Sequence, residues 1–223
     1  MSVSQRLDAV RERLRVACEA AGRSPEEVKL IAVSKTFGVE PVAQAADAGQ
    51  SDFGESYAQE LRDKTAALVD RRLRWHFIGR IQSNKARYIG PVAYRVHALE
   101  HVRHAQALLD HAPEGLDALM AVNIGEEGSK SGVAPDAVRS RARELASLPG
   151  LRLRGLMCLP PFTEDPEGAS PYFERMAHLL SRLRDDGHEV GELSMGMSHD
   201  FEVAVRHGAT WVRVGTAIFG ARG

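Results

Sequence analysis

Cysteine is scarce in this chain of 223 residues: Cys18 and Cys158 are the two present, far apart, with no Cys-x-x-Cys pair and no Cys/His cluster. That argues against a disulfide framework or a thiolate metal site and leaves two buried free thiols in a reducing compartment as the expectation. An excess of charge of one sign is also missing. Lys plus Arg number 29 against 30 Asp plus Glu, a formal net of -1, so neither nucleic acid nor a membrane surface is expected as the main partner. A local positive site for phosphate stays open, because net charge averages over the whole surface. No apolar run approaches the ~20 residues of a membrane span. The start, Met1-Ser2-Val3-Ser4-Gln5-Arg6, leads into a charged amphipathic helix and not into a signal peptide, so the cytoplasm is the expected location. The nine histidines are scattered, with no HExxH and no metal spacing. Neither a GxSxG elbow nor a GxxxxGK(S/T) loop occurs. Linkers, low-complexity tracts and composition shifts are absent too, which predicts one domain over residues 1–223.

What is present is a regular alternation, in a chain whose 43% hydrophobic residues suffice for a sizeable core. Residues 4–21 read as a helix, with Leu7, Val10, Leu14 and Cys18 at helical spacing and Gly22 as its stop. Ser24-Pro25-Glu26-Glu27 reads as a capped turn. Strand-like runs follow at Lys29–Lys35, Asp52–Gly54, Trp75–Gly79, Arg95–Leu99, Ala118–Ile124, Leu151–Leu159, Glu192–Met195 and Trp211–Gly215. Between them lie helical segments at Val39–Gly49, Tyr57–Val69, Ser83–Tyr88, His101–His111, Pro135–Ser147, Ser170–Asp186 and His199–His207. Parallel strands need crossovers, usually helical. Eight repeats fit a closed α/β structure, a (β/α)8 TIM barrel with an extra N-terminal helix; such barrels typically take about 250 residues and can be smaller. The runner-up, an open doubly wound sheet, would usually carry GxGxxG after its first strand, where this chain has Ser34-Lys35-Thr36-Phe37-Gly38.

In a barrel of this kind functional groups collect at the carboxyl ends of the strands. Lys35, Glu55, Ser56, Gly79, Arg80, Gln82, Glu100, Asn123, Pro160, Met195 and Gly215 fall there. Lys35 is the most informative. At a strand end its amine can be shielded from water, which lowers its pKa and yields the neutral form that attacks a carbonyl; the alternative is a lysine snorkelling to solvent. The last two loops form a second signal. Ser194-Met195-Gly196-Met197-Ser198 and Val214-Gly215-Thr216-Ala217 both suit an anion, since barrels often bind phosphate with these loops and the start of a short helix. Ser198 fits either as a helix N-cap or as a phosphate ligand. Arg213 points into the barrel or outward to a helix. If inward, its buried charge needs a partner: a cofactor ring nitrogen or phosphate, Glu55, or Glu100. Gln82-Ser83-Asn84-Lys85 reads as a capped helix start or an anion site, and Gly125–Gly132 as a mobile loop at the open face.

Eight segments taken together resemble the pyridoxal phosphate homeostasis protein family, single-domain relatives of the alanine racemase N-terminal barrel. They are Ile31–Thr36, Phe53–Glu60, Trp75–Gly79, Gln82–Lys85, Ser129–Gly132, Arg154–Met157, Leu193–Ser198 and Val212–Gly220, in the family's order along nearly the whole chain. The resemblance implies pyridoxal 5'-phosphate as cofactor, bound as a Schiff base on Lys35. It also implies that the phosphate rests on Ser198, Gly215 and Thr216, and that Arg213 serves the ring nitrogen. Two positions depart from the family's pattern. Ser56 stands where an asparagine usually follows Gly-Glu and shortens any contact to the ring there. His199 replaces an acidic residue after Ser198.

Such relatives lack the second, β-rich domain of the racemases, and little sequence remains here after the eighth strand. Racemisation needs a second base facing the lysine, and none of Tyr57, Tyr88, Tyr94 and Tyr172 stands in an obvious facing position. The expectation is a monomeric, non-catalytic carrier or buffer of intracellular pyridoxal phosphate that passes the cofactor to recipient apoenzymes. The alternatives are a monomeric amino-acid racemase-like enzyme and a cofactor-free, Schiff-base aldolase acting through Lys35.

Overall fold

The computed structural model describes residues 1–128 and 131–221. Ser129 and Lys130, part of the open-face loop and of one family-like segment, lie outside the described residues.

The elements in order are α1 (Val3–Ala20), β1 (Lys29–Val33), α2 (Val39–Asp47), β2 (Asp52–Glu55), α3 (Ala58–Ala67), β3 (Arg74–Phe77), α4 (Ala86–Ile89), β4 (Arg95–Leu99), α5 (Val102–Leu109), β5 (Leu116–Val122), α6 (Val138–Ala146), β6 (Leu151–Cys158), α7 (Ser170–Asp185), β7 (Glu192–Ser194), α8 (Phe201–Arg206), β8 (Trp211–Val214) and α9 (Thr216–Phe219). The eight strands are parallel and close in chain order, with β1 pairing β8 through Lys29↔Trp211 to Ala32↔Val214. The expected barrel with its N-terminal helix is therefore the observed fold.

Strand parity divides the interior. Leu30, Ala32, Phe53, Val96, Met120, Leu156, Val212 and Val214 face outward into one large layer shared with the helices. Ile31, Val33 and Trp211 form a separate cluster inside the barrel, and Leu119, Ala121 and Met157 another. Both thiols are buried and unbonded to each other, as expected, and burial pushes that of Cys158 up to about 12.

The elements depart from sequence expectation where local geometry overrides periodicity. The Ser83–Tyr88 segment divides into a 3-10 turn, Ser83–Lys85, and the short α4, and Gln82 at its start makes no side-chain cap. A capped helix start is thus not what forms there. β5 begins at Leu116, earlier than alternation suggests, because it pairs with β6 from Leu116↔Leu151 onward.

α1 opens with a capping box in which the Ser2 hydroxyl accepts from Gln5 N–H and the Gln5 side chain accepts from Ser2 N–H. Its buried stripe, including Leu7, Val10, Leu14 and Cys18, packs against α2, α8 and α9. Arg6 Nε donates to the Ile218 carbonyl at 2.6 Å, and Arg23 Nη1 donates to the Val205 and Ala209 carbonyls, each at 2.8 Å. The first helix is therefore fastened to the elements that close the barrel.

Inside the barrel, below the apolar clusters, His76 and His97 are fully buried. Burial drives both imidazoles below the ordinary value of 6.5 and keeps them neutral. The sign of the resulting pH dependence follows from linkage. Below pH 6.5 the unfolded chain binds protons that the folded chain does not, so stability is full above that pH and falls as pH falls. The expected slope reaches about 1.4 kcal/mol per pH unit for each group. Urea unfolding at pH 7, 6 and 5 checks this, and unchanged stability across the series contradicts neutral burial.

Candidate functional site

After β1 the chain makes a tight turn in which Phe37 N–H donates to the Ser34 carbonyl at 3.1 Å. Lys35 and Thr36 are its central residues. Thr36 has φ +69°, the conformation that a type II turn requires at that position and that a β-branched residue rarely adopts. Such strain persists only where the surroundings over-determine it, and here they do. Glu60 Oε2 accepts from Thr36 N–H at 2.8 Å. Lys64 Nζ, on α3, donates to the Ser34 carbonyl at 2.8 Å, to Glu55 Oε1 at 2.7 Å and to Glu60 Oε2 at 3.0 Å. Ser34 Oγ also donates to Glu55 Oε1, at 2.6 Å. The backbone on both sides of Lys35 is thus clamped by a buried ion cluster. Burial pushes the Glu55 carboxyl up, opposed by the Lys64 ammonium and the Ser34 hydroxyl. Partial burial also acts to raise Glu60, but the Thr36 N–H and Lys64 outweigh it and hold Glu60 low.

The turn delivers Lys35, half-buried, to the wall of a cavity of about 260 Å³ at the carboxyl ends of the strands. Ser56, Ser198, Arg213, Gly215 and Thr216 line the same cavity, so six residues from four separate stretches of sequence converge. Val33, Ile78, Met157 and Leu159 supply an apolar slot between them.

Parity turns Arg213 inward, the first of its two expected orientations. Its Nη1 donates to Ser194 Oγ at 2.7 Å and its Nη2 to the Cys158 carbonyl at 2.8 Å. The protein partners suggested by sequence, Glu55 and Glu100, are not the ones it has. Glu55 occupies the outward parity of β2 and is taken by Lys64, while Glu100 accepts from the Gly132 N–H at 2.7 Å. Burial lowers the Arg213 pKa, but a guanidinium remains charged in proteins. Two bonds also leave it N–H donors for the cavity.

Ser198 is not a helix cap. α8 starts at Phe201, and Asp200 Oδ1 accepts from the Met197 N–H at 2.6 Å across the preceding turn. That turn hinges on Gly196 at φ +90°, where a Cβ would stand 2.7 Å from that of Ala204. The result swings Ser198 toward the β8–α9 loop. Its Oγ accepts from Gly215 N–H at 3.3 Å and lies 3.3 Å from Thr216 Oγ1. Hydroxyls and N–H groups gathered at a helix start favour an anion.

His199, the second departure, turns its Nε2 to the Thr163 and Glu164 carbonyls, each at 3.1 Å, and its ring lies 5.5 Å from that of Phe162. It ties the β6–α7 loop to the cavity rim. Of the other strand-end residues picked out from sequence, Gly79, Arg80, Glu100 and Asn123 line a neighbouring cavity, and Met195 is buried away from both. Sequence reasoning did not single out Phe37, Ile78, Met157, Leu159 or Met197 as lining residues, nor Lys64 as the clamp. Inward strand parity was the available signal for Met157 and Val33. Glu60 and Lys64 at i,i+4 read as an ordinary surface pair.

A parallel eight-stranded barrel whose cavity gathers a lysine from the first βα turn, an inward arginine from the last strand and hydroxyls from the last two loops defines the class: a single (β/α)8 barrel with its site at the carboxyl ends of the strands. Residues 5–223 match the family described as alanine racemase, N-terminal domain. The chain is 45% identical over 224 residues to the pyridoxal phosphate homeostasis protein of Pseudomonas aeruginosa, covering 99% of this chain and 96% of that one. It is 40% identical over 226 residues to the protein of the same name from Aquifex aeolicus, covering 100% and 99%. Among solved structures, PipY of Synechococcus elongatus with PLP bound superposes with TM-score 0.85 at 32% identity, covering 98% of this chain and 100% of that one. The chain belongs to the pyridoxal phosphate homeostasis protein family, within the alanine racemase N-terminal domain group.

Proposed function

We propose that this protein binds pyridoxal 5'-phosphate on Lys35 and acts in intracellular pyridoxal phosphate homeostasis as a carrier or buffer. The observation that carries the reading is the convergence of an amine, a buried guanidinium and an anion cradle on one apolar-walled cavity. The donor set suits the cofactor's three poles. Lys35 meets its aldehyde, with which an amine forms a Schiff base. Ser198, Gly215 and Thr216 receive its phosphate, and Ser56 flanks the ring in place of the usual asparagine. Arg213 faces the ring nitrogen. A guanidinium only donates hydrogen bonds, so Arg213 would hold the ring nitrogen as an acceptor. The homeostasis names of the relatives support holding the cofactor over using it, and the PLP-bound PipY structure supports the ligand. Residues 1–223 act as one domain and as a monomer in the cytoplasm, handing the cofactor to recipient apoenzymes. No described helix is long and apolar enough to cross a membrane.

Borohydride reduction of protein loaded with pyridoxal phosphate, followed by peptide mass mapping, tests the site. The pyridoxyl mass is expected on the peptide containing Lys35. Its appearance on Lys85 or Lys130 instead overturns the assignment. Turnover of any amino-acid enantiomer by the loaded protein, lost in Lys35→Ala, overturns the carrier reading in favour of a racemase-like enzyme.

A further inference from the structure

Beneath the cavity, a column of buried polar side chains crosses the barrel interior. Arg74, on β3, pairs with Asp52, its Nη2 donating to Oδ2 at 2.6 Å. Asp52 Oδ1 lies 3.0 Å from His76 Nε2, His76 Nδ1 lies 2.9 Å from His97 Nε2, and His97 Nδ1 lies 2.9 Å from Ser194 Oγ. Ser194 Oγ then accepts from Arg213 Nη1 at 2.7 Å. Asp52, His76, His97, Ser194 and Arg213 are all buried, and the column spans β2, β3, β4, β7 and β8.

The two ends, with neutral imidazoles between them, fix the direction of every proton in the column. Arg213 can only donate, so Ser194 Oγ accepts there. At the other end the Arg74 guanidinium leaves Asp52 an ionised carboxylate, which can only accept, so His76 Nε2 carries its proton. A neutral His76 then accepts at Nδ1, which requires His97 to donate from Nε2 and accept at Nδ1. The Ser194 hydroxyl hydrogen points to that nitrogen and turns its lone pairs to Arg213. Each donor thus points from the cavity toward Asp52, and such aligned chains polarise their members cooperatively.

We propose that Asp52, His76, His97 and Ser194 form a one-way hydrogen-bond relay that positions Arg213 at the cavity floor from the opposite mouth of the barrel. The lowered pKa values of His76, His97 and Asp52 agree with the neutral imidazoles and ionised carboxylate that the relay uses. Its members are positioning residues. None but Arg213 lines the cavity. The relay rests on the hydrogen-bond geometry with neutral imidazoles, and its effect on a ligand rests on the pyridoxal phosphate reading above.

Asp52→Asn is the informative variant, because it keeps the shape and removes the charge. Arg74 donates to both carboxylate oxygens, from Nε to Oδ1 at 2.7 Å and from Nη2 to Oδ2 at 2.6 Å, so the Asn amide keeps its oxygen toward Arg74 Nε and His76, and the relay loses the charge at its end without reversing. Nitrogen-15 NMR of the ligand-free protein is expected to show Nε2–H tautomers at His76 and His97 in the wild type. An Nδ1–H tautomer at either histidine of the wild type overturns the relay. With pyridoxal phosphate added, Asp52→Asn is expected to weaken binding about fivefold, the worth of one hydrogen bond, and to shift the visible absorbance band. Ser194→Ala, which cuts the relay beside Arg213, is expected to do the same and serves if Asp52→Asn does not fold. Unchanged band and affinity in both variants show that the column does not position Arg213. A wild type that takes up no pyridoxal phosphate defeats the functional reading, while the tautomers still decide the relay.

Discussion

Lys35→Ala is expected to reduce covalent capture of pyridoxal phosphate to background. No borohydride-fixed pyridoxyl mass should remain on the turn peptide, and the visible absorbance band of the loaded protein should disappear. The effect is all-or-none on the proposed reading, in which the amine is the bonding atom, and the clamp around the turn works on backbone that alanine preserves. Thr36 N–H still meets Glu60, and Lys64 still meets the Ser34 carbonyl. Stability should therefore stay within about 1 kcal/mol of the wild type, as for substitutions away from core and buried networks. Non-covalent retention by Arg213, Ser198 and Thr216 should persist as dialysable ligand. Full retention of a non-dialysable adduct in Lys35→Ala means that another amine is the acceptor.

Lys64→Met carries the largest expected cost in stability. Lys64 is 4% exposed and Glu55 is 0% exposed. Removing the ammonium strands a carboxylate that already has one oxygen, Oε2, without a hydrogen-bond partner among the described residues. Breaking a buried pair from one side costs about 3–5 kcal/mol, whereas replacing both members is far milder. Denaturant unfolding should place Lys64→Met in that range, and Lys64→Met combined with Glu55→Gln should recover most of it. A double-mutant cycle with no coupling between the two positions refutes the pairing. The same variant is expected to slow covalent loading at Lys35, since the turn loses its bond to the Ser34 carbonyl.

Much of this architecture was legible in the sequence, for reasons that can be traced. The strands announced themselves by short apolar runs between helical segments, and closure followed from their number. Lys35 stood out because it follows such a run. Arg213 was left between two orientations, and parity could not choose until the β1–β8 register was fixed. Ser198 stayed ambiguous because a cap and an anion ligand use the same hydroxyl; Gly196 decides it, by a backbone conformation that no side-chain pattern reveals. The histidines of the relay were visible only as scattered residues without metal spacing. His76 and His97 are 21 positions apart, and their adjacency exists only once β3 and β4 lie side by side. Lys64 was hidden by its own regularity, since a Glu four residues before a Lys on a helix is what exposed helices commonly show.

The fastening of α1 to the far end of the chain bears on the order in which the protein is made. α1 leaves the ribosome well before α8, β8 and α9, yet the carbonyls that Arg6 and Arg23 grip belong to Ile218, Val205 and Ala209. β1 likewise waits for β8 before its second edge is paired. Domains generally fold as units during synthesis, and here α1 lacks most of the cover for its apolar stripe until α8 and α9 arrive. The anion cradle of Ser198, Gly215 and Thr216 lies in that closing segment. On the proposed reading, a nascent chain that already displays Lys35 would lack a seat for the cofactor's phosphate, and loading would wait for the barrel to close.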